Sequence, residues 1–288
     1  MQITPENVVE EMADRLLFSV EKERESRQRA QKKTTYELEI RFGHVEALKL
    51  EAPSRAKTKF VSGVATAEVD ELRSEIERWA QSEFDLSSED AHMEVTSSEG
   101  ELLLLTWSLH PRPPFSKIFV KIDGDGRTVE RVFQRRFKKL DMYDVDDLKR
   151  MAMRVDFRGE APGRLPRQHD SLPQAGRRKH VHSWHNDTIV VELAEVQSLQ
   201  QHEVTQACRD YGFRQAHRQS SDIPPADWPS VDDSKPVVYE VEIALVPAKL
   251  MRTAQQGREK LEQLLRQFLS HAESLRQLLH EHAALAHD

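Results

Sequence analysis

Two stretches near opposite ends of the chain, YELEIRFG at 36–43 and YEVEIAL at 239–245, alternate apolar and charged residues without a break. In the first, Leu38, Ile40 and Phe42 share one side and Glu37, Glu39 and Arg41 the other. In the second, Tyr239, Val241, Ile243 and Leu245 oppose Glu240, Glu242 and Ala244. A period of two marks a β-strand with one apolar and one polar face. Two segments between them repeat the pattern. At 149–158, Met151, Met153, Val155 and Phe157 oppose Arg150, Ala152, Arg154, Asp156 and Arg158. At 116–123, Ile118, Val120 and Ile122 oppose Lys117, Phe119, Lys121 and Asp123. Further strands are expected near 93–96, 101–109, 128–140, 178–184 and 187–196, and DGDG at 123–126 reads as a hairpin turn.

The predicted helices carry apolar stripes that need a surface to cover. Thr4 and Pro5 open a helix over 4–30 with Val9, Met12, Leu16, Leu17 and Val20 on one face. Residues 66–81 place Val69, Leu72, Ile76 and Trp79 together. The C-terminal segment runs Leu261, Leu264, Leu265, Phe268, Leu269, Ala272, Leu275, Leu278 and Leu279 at spacings of three and four, with Gly257 as a break before it. A barrel whose outside is apolar and helix-covered, and whose inside is charged, accommodates both the stripes and the alternating strands. The composition agrees: 38% hydrophobic and 32% charged residues is a lean core for 288 residues unless charge also lines an inner, wet surface. Segments 159–176 and 220–236, rich in Pro, Gly, Ser and Asp, are expected to be loops.

Such an interior must hold ions, because unpaired buried charge costs several kcal/mol per group. Carboxylates two apart on one strand face lie roughly 6–7 Å from each other, close enough to serve one hard cation directly or through water. Guanidinium groups on neighbouring strands suit phosphate oxygens. That combination points to phosphoryl chemistry.

Other readings are narrower. A net charge of -7 excludes a uniformly basic nucleic-acid binder. A single cysteine, Cys208, excludes a disulfide framework and fits a reducing compartment. No apolar run approaches the roughly 18 residues of a membrane span, and the acidic, helical N-terminus lacks a signal-peptide core, so a soluble intracellular protein is expected. Arg27, Arg29, Lys32 and Lys33 read as a solvated charge run, with a nuclear-targeting reading as the alternative. His180, His182 and His185 suggest zinc, but the sequence sets no carboxylate or cysteine beside them at ligand spacing, and the zinc reading is set aside.

The same residues carry a resemblance. YELEIRFG at 36–43, KFVSGVATAEVDEL at 59–72, YEVEIAL at 239–245 and FLSHAESLRQL at 268–278 resemble, in this order, segments of the metal-dependent RNA 5′-triphosphatases of fungal, protozoan and viral mRNA capping, members of the triphosphate tunnel metalloenzyme superfamily. The resemblance spans about residues 34–280. It implies an α+β fold: a closed antiparallel eight-stranded β-barrel, or tunnel, with helices packed outside. The implied organisation is a helix and charged arm at 1–33 followed by a catalytic domain at 34–288.

The implied activity is hydrolysis of the γ-phosphate of 5′-triphosphate RNA, the first step of cap formation, in the nucleus. A separate capping guanylyltransferase is the implied partner, and no membrane is involved. Glu37, Glu39, Glu240 and Glu242 would hold Mn2+ or Mg2+. Arg41, Lys121, Arg135, Arg136, Arg150, Arg154, Arg177, Arg178 and Lys179 would supply the phosphate-binding wall. Glu160 and Glu192 are the candidates for catalytic carboxylates. Three departures stand out: Val181 replaces a basic residue in RRKHVHSW at 177–184, Val190 and Ala194 replace polar residues beside Glu192 in VVELAEV at 190–196, and Ala244 stands where some members have a third glutamate. The register of 177–184 decides whether Arg177 and Lys179, or Arg178, His180 and His182, face inward. Two alternatives remain, a tunnel enzyme for tripolyphosphate or nucleoside triphosphates, and a non-catalytic anion-binding barrel that scaffolds a capping partner.

Overall fold

A computed structural model describes residues 4–26, 34–48, 57–64, 68–86, 95–108, 117–123, 128–143, 151–162, 173–207 and 236–285. In chain order the elements are α1 (Pro5–Ser26), β1 (Thr35–Leu48), β2 (Lys57–Ser62), α2 (Val69–Leu86), β3 (Thr96–Ser108), β4 (Lys117–Asp123), β5 (Thr128–Met142) and β6 (Ala152–Pro162). They continue with β7 (Ala175–His185), β8 (Ile189–Leu199), α3 (Gln201–Ala207), β9 (Val238–Leu245), α4 (Pro247–Gln256) and α5 (Arg258–Leu285).

Eight strands close on themselves in the order β1-β6-β5-β4-β3-β7-β8-β9, with β9 returning to pair with β1. Every pairing is antiparallel. The ninth strand, β2, extends the far half of β1, where Gly43 to Leu48 pair with Ser62 to Lys57. Closure removes the exposed strand edges that an open sheet of this size would present.

The helices sit on the arc formed by β6, β1, β9 and β8. Leu38, Ile40, Phe42, Met153, Val155, Phe157, Val191, Leu193, Val241 and Ile243 point outward there. They pack with Met12 and Leu16 of α1, Leu72 and Ile76 of α2, Leu250 of α4, and Leu261, Leu265, Phe268 and Leu275 of α5. Phe42, Phe157 and Phe268 are fully buried, each contributing about 1.5–3 kcal/mol of transfer free energy. A smaller outer cluster gathers Leu103, Leu105, Ile118, Val120 and Ile122 with Val204 of α3. The alternation read from the sequence thus puts apolar side chains under helices and leaves charge for the interior.

Boundaries differ where local composition misleads. The expected strands at 93–96 and 101–109 join, over the described residues Thr96–Ser108, as one strand, β3, because the polar run from Thr96 to Glu101 pairs with β7 from His185 to His180. The expected loop at 159–176 begins as strand: β6 continues to Pro162, and Gln134 to Val132 of β5 pair with Glu160 to Pro162. Gly159 is there for room, since a Cβ at that position would meet the Phe137 ring at 2.6 Å. The C-terminal break falls at Gly257, whose φ of +114° lies in the region glycine tolerates. Residues 124–127, 149–150, 163–172 and 208–235, and with them the DGDG turn, Arg150, Cys208 and most of the two expected loops, lie outside the described residues, as do Arg27, Arg29, Lys32 and Lys33.

Candidate active site

Alternation aims one face of each strand into the barrel, and the pairing register decides which charges meet. On β1 and β9, Glu39 lies opposite Ala244 and Arg41 opposite Glu242. On β1 and β6, Glu37 lies opposite Arg158, Glu39 opposite Asp156 and Arg41 opposite Arg154. On β8 and β9, Glu192 lies opposite Glu242, and Ala194 opposite Glu240.

The side chains form one mixed-charge network. Arg158 donates from Nη2 to Glu39 Oε1 at 2.7 Å and to Asp156 Oδ2 at 3.2 Å. Arg41 donates from Nε to Glu39 and lies 3.1 Å from Glu242 Oε1. Lys179 Nζ sits 3.1 Å from Glu240 Oε2 and 3.7 Å from Glu242 Oε1, and Arg177 donates from Nη1 to Glu240 Oε1 at 3.1 Å. Arg136 Nε is 2.9 Å from Asp156 Oδ1. Gln134 donates from Nε2 to the buried Glu160 at 2.9 Å.

The electrostatics divide the carboxylates. Burial, then the neighbouring Glu160, pushes the Glu37 carboxyl up to about 8. Burial and Glu242 raise Glu39, and burial and Glu242 likewise raise Glu192. Burial also opposes ionisation of Glu242, yet Arg41, Lys179 and Arg158 hold it at about 2. Burial works against the charged forms of Arg41, Arg158 and Lys179 too. The Glu242 carboxylate in the first and third, and Glu39 in the second, keep them firmly protonated. Lys117 is shifted down by burial and by Arg136, Arg158, Arg177 and Arg41, a crowding of cations on one part of the wall that an anion would relieve.

The donor set fits a hard divalent cation. It consists of carboxylate oxygens alone, and one of them, Glu242 Oε1, is buried with no hydrogen bond although Arg41 and Lys179 lie near. The four glutamates of the two Glu-x-Glu pairs all face inward but do not meet at one point. Glu240 lies beyond the Arg41–Glu242 pair and Glu37 before the Glu39–Ala244 pair, which puts them about 20 Å apart along the strands. Glu39 and Glu242 are the two that come together, with Glu37 beside the first, while Glu240 is engaged by Lys179 and Arg177. Ala244, directly opposite Glu39, brings no carboxylate.

The predicted basic wall is also sorted by register. Arg41, Arg136, Arg177 and Lys179 join the network. Lys121 faces inward, where its charge lowers Glu37 and Glu192. Arg154 faces inward but is taken by Asp141, to which it donates at 2.6 and 3.0 Å, and lies over the Phe60 ring at 4.2 Å. Arg135 and Arg178 are corrections. Arg135 stands on the outer face over the Phe137 ring at 4.8 Å. Arg178 is outside as well, donating to Glu101 at 2.9 Å, because β7 pairs with β3 and β8 in the register that turns Arg177 and Lys179 inward. Asp156, Arg158, Gln134 and Lys117 are inner-wall residues to which the sequence reading gave no role. The period of two had already placed Asp156, Arg158 and Lys117 on charged faces, and that was the signal available.

The chain is thus an eight-stranded closed barrel with a two-signed interior and helices outside. No protein-family model matches the sequence, and no curated protein does. Among solved structures, the chain is similar to S. pombe Pct1 RNA triphosphatase, with 18% identity and a TM-score of 0.58 over 98% of this chain and 95% of that one. The same protein in complex with the Spt5 CTD superposes with 16% identity and a TM-score of 0.58, over 98% and 99% of the two chains. The mimivirus capping enzyme triphosphatase aligns at 10% identity and a TM-score of 0.35, over 88% of this chain and 98% of that one, too loosely to carry an argument.

Proposed function

We propose that the chain is a divalent-metal-dependent phosphohydrolase that removes the γ-phosphate from 5′-triphosphate RNA, leaving a 5′-diphosphate end for capping. The observation that carries the reading is the closed barrel whose inner wall sets Glu39 and Glu242 against Arg41, Arg158 and Lys179. It is supported by likeness of fold, over almost the whole chain, to an RNA triphosphatase.

Glu39 and Glu242, with Glu37, are the residues that would hold Mn2+ or Mg2+. With no carboxylate at Ala244, fewer ligands come from the protein, and more positions are open to water and phosphate oxygens. Such an ion, when bound, supplies charge neutralisation at the phosphoryl group. Arg136, Arg177, Lys117 and Lys121 line the wall as phosphate-binding cations, and their crowding favours a substrate of high negative charge. Arg158 and Lys179 hold the carboxylates in place from either side. Glu160, fixed by Gln134, and Glu192 are assigned to orienting the attacking water. A separate guanylyltransferase as partner and nuclear localisation belong to the same reading.

The test is phosphate release from triphosphate-ended RNA with and without Mn2+ or Mg2+. Metal-dependent release is expected, falling by about 10²–10³-fold in Glu39→Gln. Faster turnover of tripolyphosphate or ATP than of RNA would move the substrate to small triphosphates. Retained phosphate affinity with no turnover of any of them would make the barrel a non-catalytic anion-binding scaffold.

A further inference from the structure

The outer wall of the barrel carries a second cluster of ligating side chains that the inner chemistry does not use. β7 turns His180 and His182 outward on one face, two residues apart, and β3 runs antiparallel beside it with Glu99 opposite His182 and Glu101 opposite His180. Glu99 Oε1 lies 2.8 Å from His180 Nε2 and 3.8 Å from His182 Nε2, and all three ligand atoms fall within 4.8 Å of one another. The two imidazole rings are 4.8 Å apart between centroids. The sequence hid this arrangement because Glu99 and the histidines are joined only by strand pairing.

We propose that Glu99, His180 and His182 form a zinc-class metal site on the outside of the barrel, tying β3 to β7 and leaving one coordination position open. Zinc takes imidazole nitrogen and carboxylate oxygen at about 2.0–2.2 Å in tetrahedral geometry, which sets ligand atoms about 3.4 Å from each other. The two separations from Glu99, 2.8 and 3.8 Å, straddle that value, and the His180 and His182 ligand atoms lie within 4.8 Å of each other, so side-chain rotation would bring the triad onto one ion. A His-x-His pair on one strand face with a carboxylate from the next strand is a borderline-soft donor set that prefers zinc, nickel or copper to magnesium.

The surroundings favour His182 as a ligand. Its side chain is only 12% exposed, and its Nε2 is directed toward the Glu99 carboxylate at 3.8 Å. The other charged groups near it are Arg73 of α2, already paired with Asp70 at 2.9 Å, and Glu195 of β8, the register partner of His180. Glu195 adds a second negative charge to a site that must bind a dication. His180 and Glu99 are more open, at 36% and 59%, which gives an ion a path from solvent.

The outer triad on β3 and β7 differs in chemistry from the inner carboxylates on β1 and β9: two imidazoles and one carboxylate against carboxylates alone. The outer proposal stands independently of the function assigned to the interior. It is tested by stripping the full chain with a chelator, adding excess Mg2+, and titrating Zn2+ against a chromophoric chelator. Binding of one Zn2+ per chain is expected, unchanged in Glu39→Gln and at least about tenfold weaker in His180→Asn and in Glu99→Gln. Both substituted side chains are exposed enough for the fold to survive, which circular dichroism verifies. Co2+ should give visible d–d bands that disappear in His180→Asn, and Zn2+ should raise the melting temperature of the parent but not of that variant. Absence of zinc binding in the parent, or equal affinity in the parent and both outer-wall variants, would overturn the proposal. So would loss of zinc from Glu39→Gln alone.

Discussion

Arg135 and Arg136 are adjacent on β5, yet one lies over Phe137 on the outside of the barrel and the other reaches Asp156 within it. β7 repeats the contrast: Lys179 serves Glu240 and Glu242 inside, while its neighbour Arg178 serves Glu101 outside. The basic side chains are chemically alike on the two faces, so their different value comes from the carboxylates they meet. Outside, Arg178 meets Glu101, a carboxylate 38% exposed, and a pair with one partner this open to water is worth about 0–1 kcal/mol. Inside, Arg136 and Lys179 meet Asp156, Glu240 and Glu242, carboxylates 1–12% exposed, and removing a cation leaves a buried ion short of compensation at a cost of about 3–5 kcal/mol. On the function proposed above, some of these internal pairs would be exchanged for a metal and a polyphosphate.

The largest effect expected is on neither wall but in the packing that holds the barrel shut. Phe268→Ala, which empties a fully buried site between α5 and the outward face of the strands, should lower the unfolding free energy by about 3–5 kcal/mol in denaturant titration. A loss below 1 kcal/mol would mean that the helices do not brace the barrel. Next comes Lys179→Ala, which leaves Glu240 and Glu242 short of a cation. Activity on triphosphate RNA should fall by about a hundredfold, and Lys179→Arg should recover part of it. Equal loss in both variants would show that the position needs an ammonium and not merely a positive charge.

The adjacent arginines make the sharpest comparison. Arg136→Ala should reduce activity by about tenfold or more, whereas Arg135→Ala should cost about 0.5–1 kcal/mol of stability through its ring contact and leave kcat/KM within about twofold. If the two variants behave alike in a kinetic assay, the division of the wall into two faces is wrong.

Much of this was legible before any coordinates. The alternation in 36–43, 149–158 and 239–245 separated Leu38, Val155 and Ile243 from Glu39, Asp156 and Glu242, and the helix stripes demanded an apolar sheet surface to cover. Where the reading stopped short, the cause was pairing across long sequence distances. In RRKHVHSW basic residues stand at adjacent positions, so periodicity cannot choose between Lys179 and His180, and only the β3–β7–β8 registers do. Glycine and proline in 159–162 suggested a loop because a sequence does not show Phe137 filling the space beside Gly159.

The sequence by itself determined which faces could be wet and which dry, because a strand sends successive side chains to opposite sides whatever it pairs with. Only the tertiary structure decided the partners. Register brought Glu39 to Ala244, kept Glu37 far from Glu240, and carried Glu99 to His180 and His182. Coulomb and ligand interactions act over a few ångströms, and which groups fall within that reach is set by barrel closure and stagger, to which the one-dimensional pattern is blind.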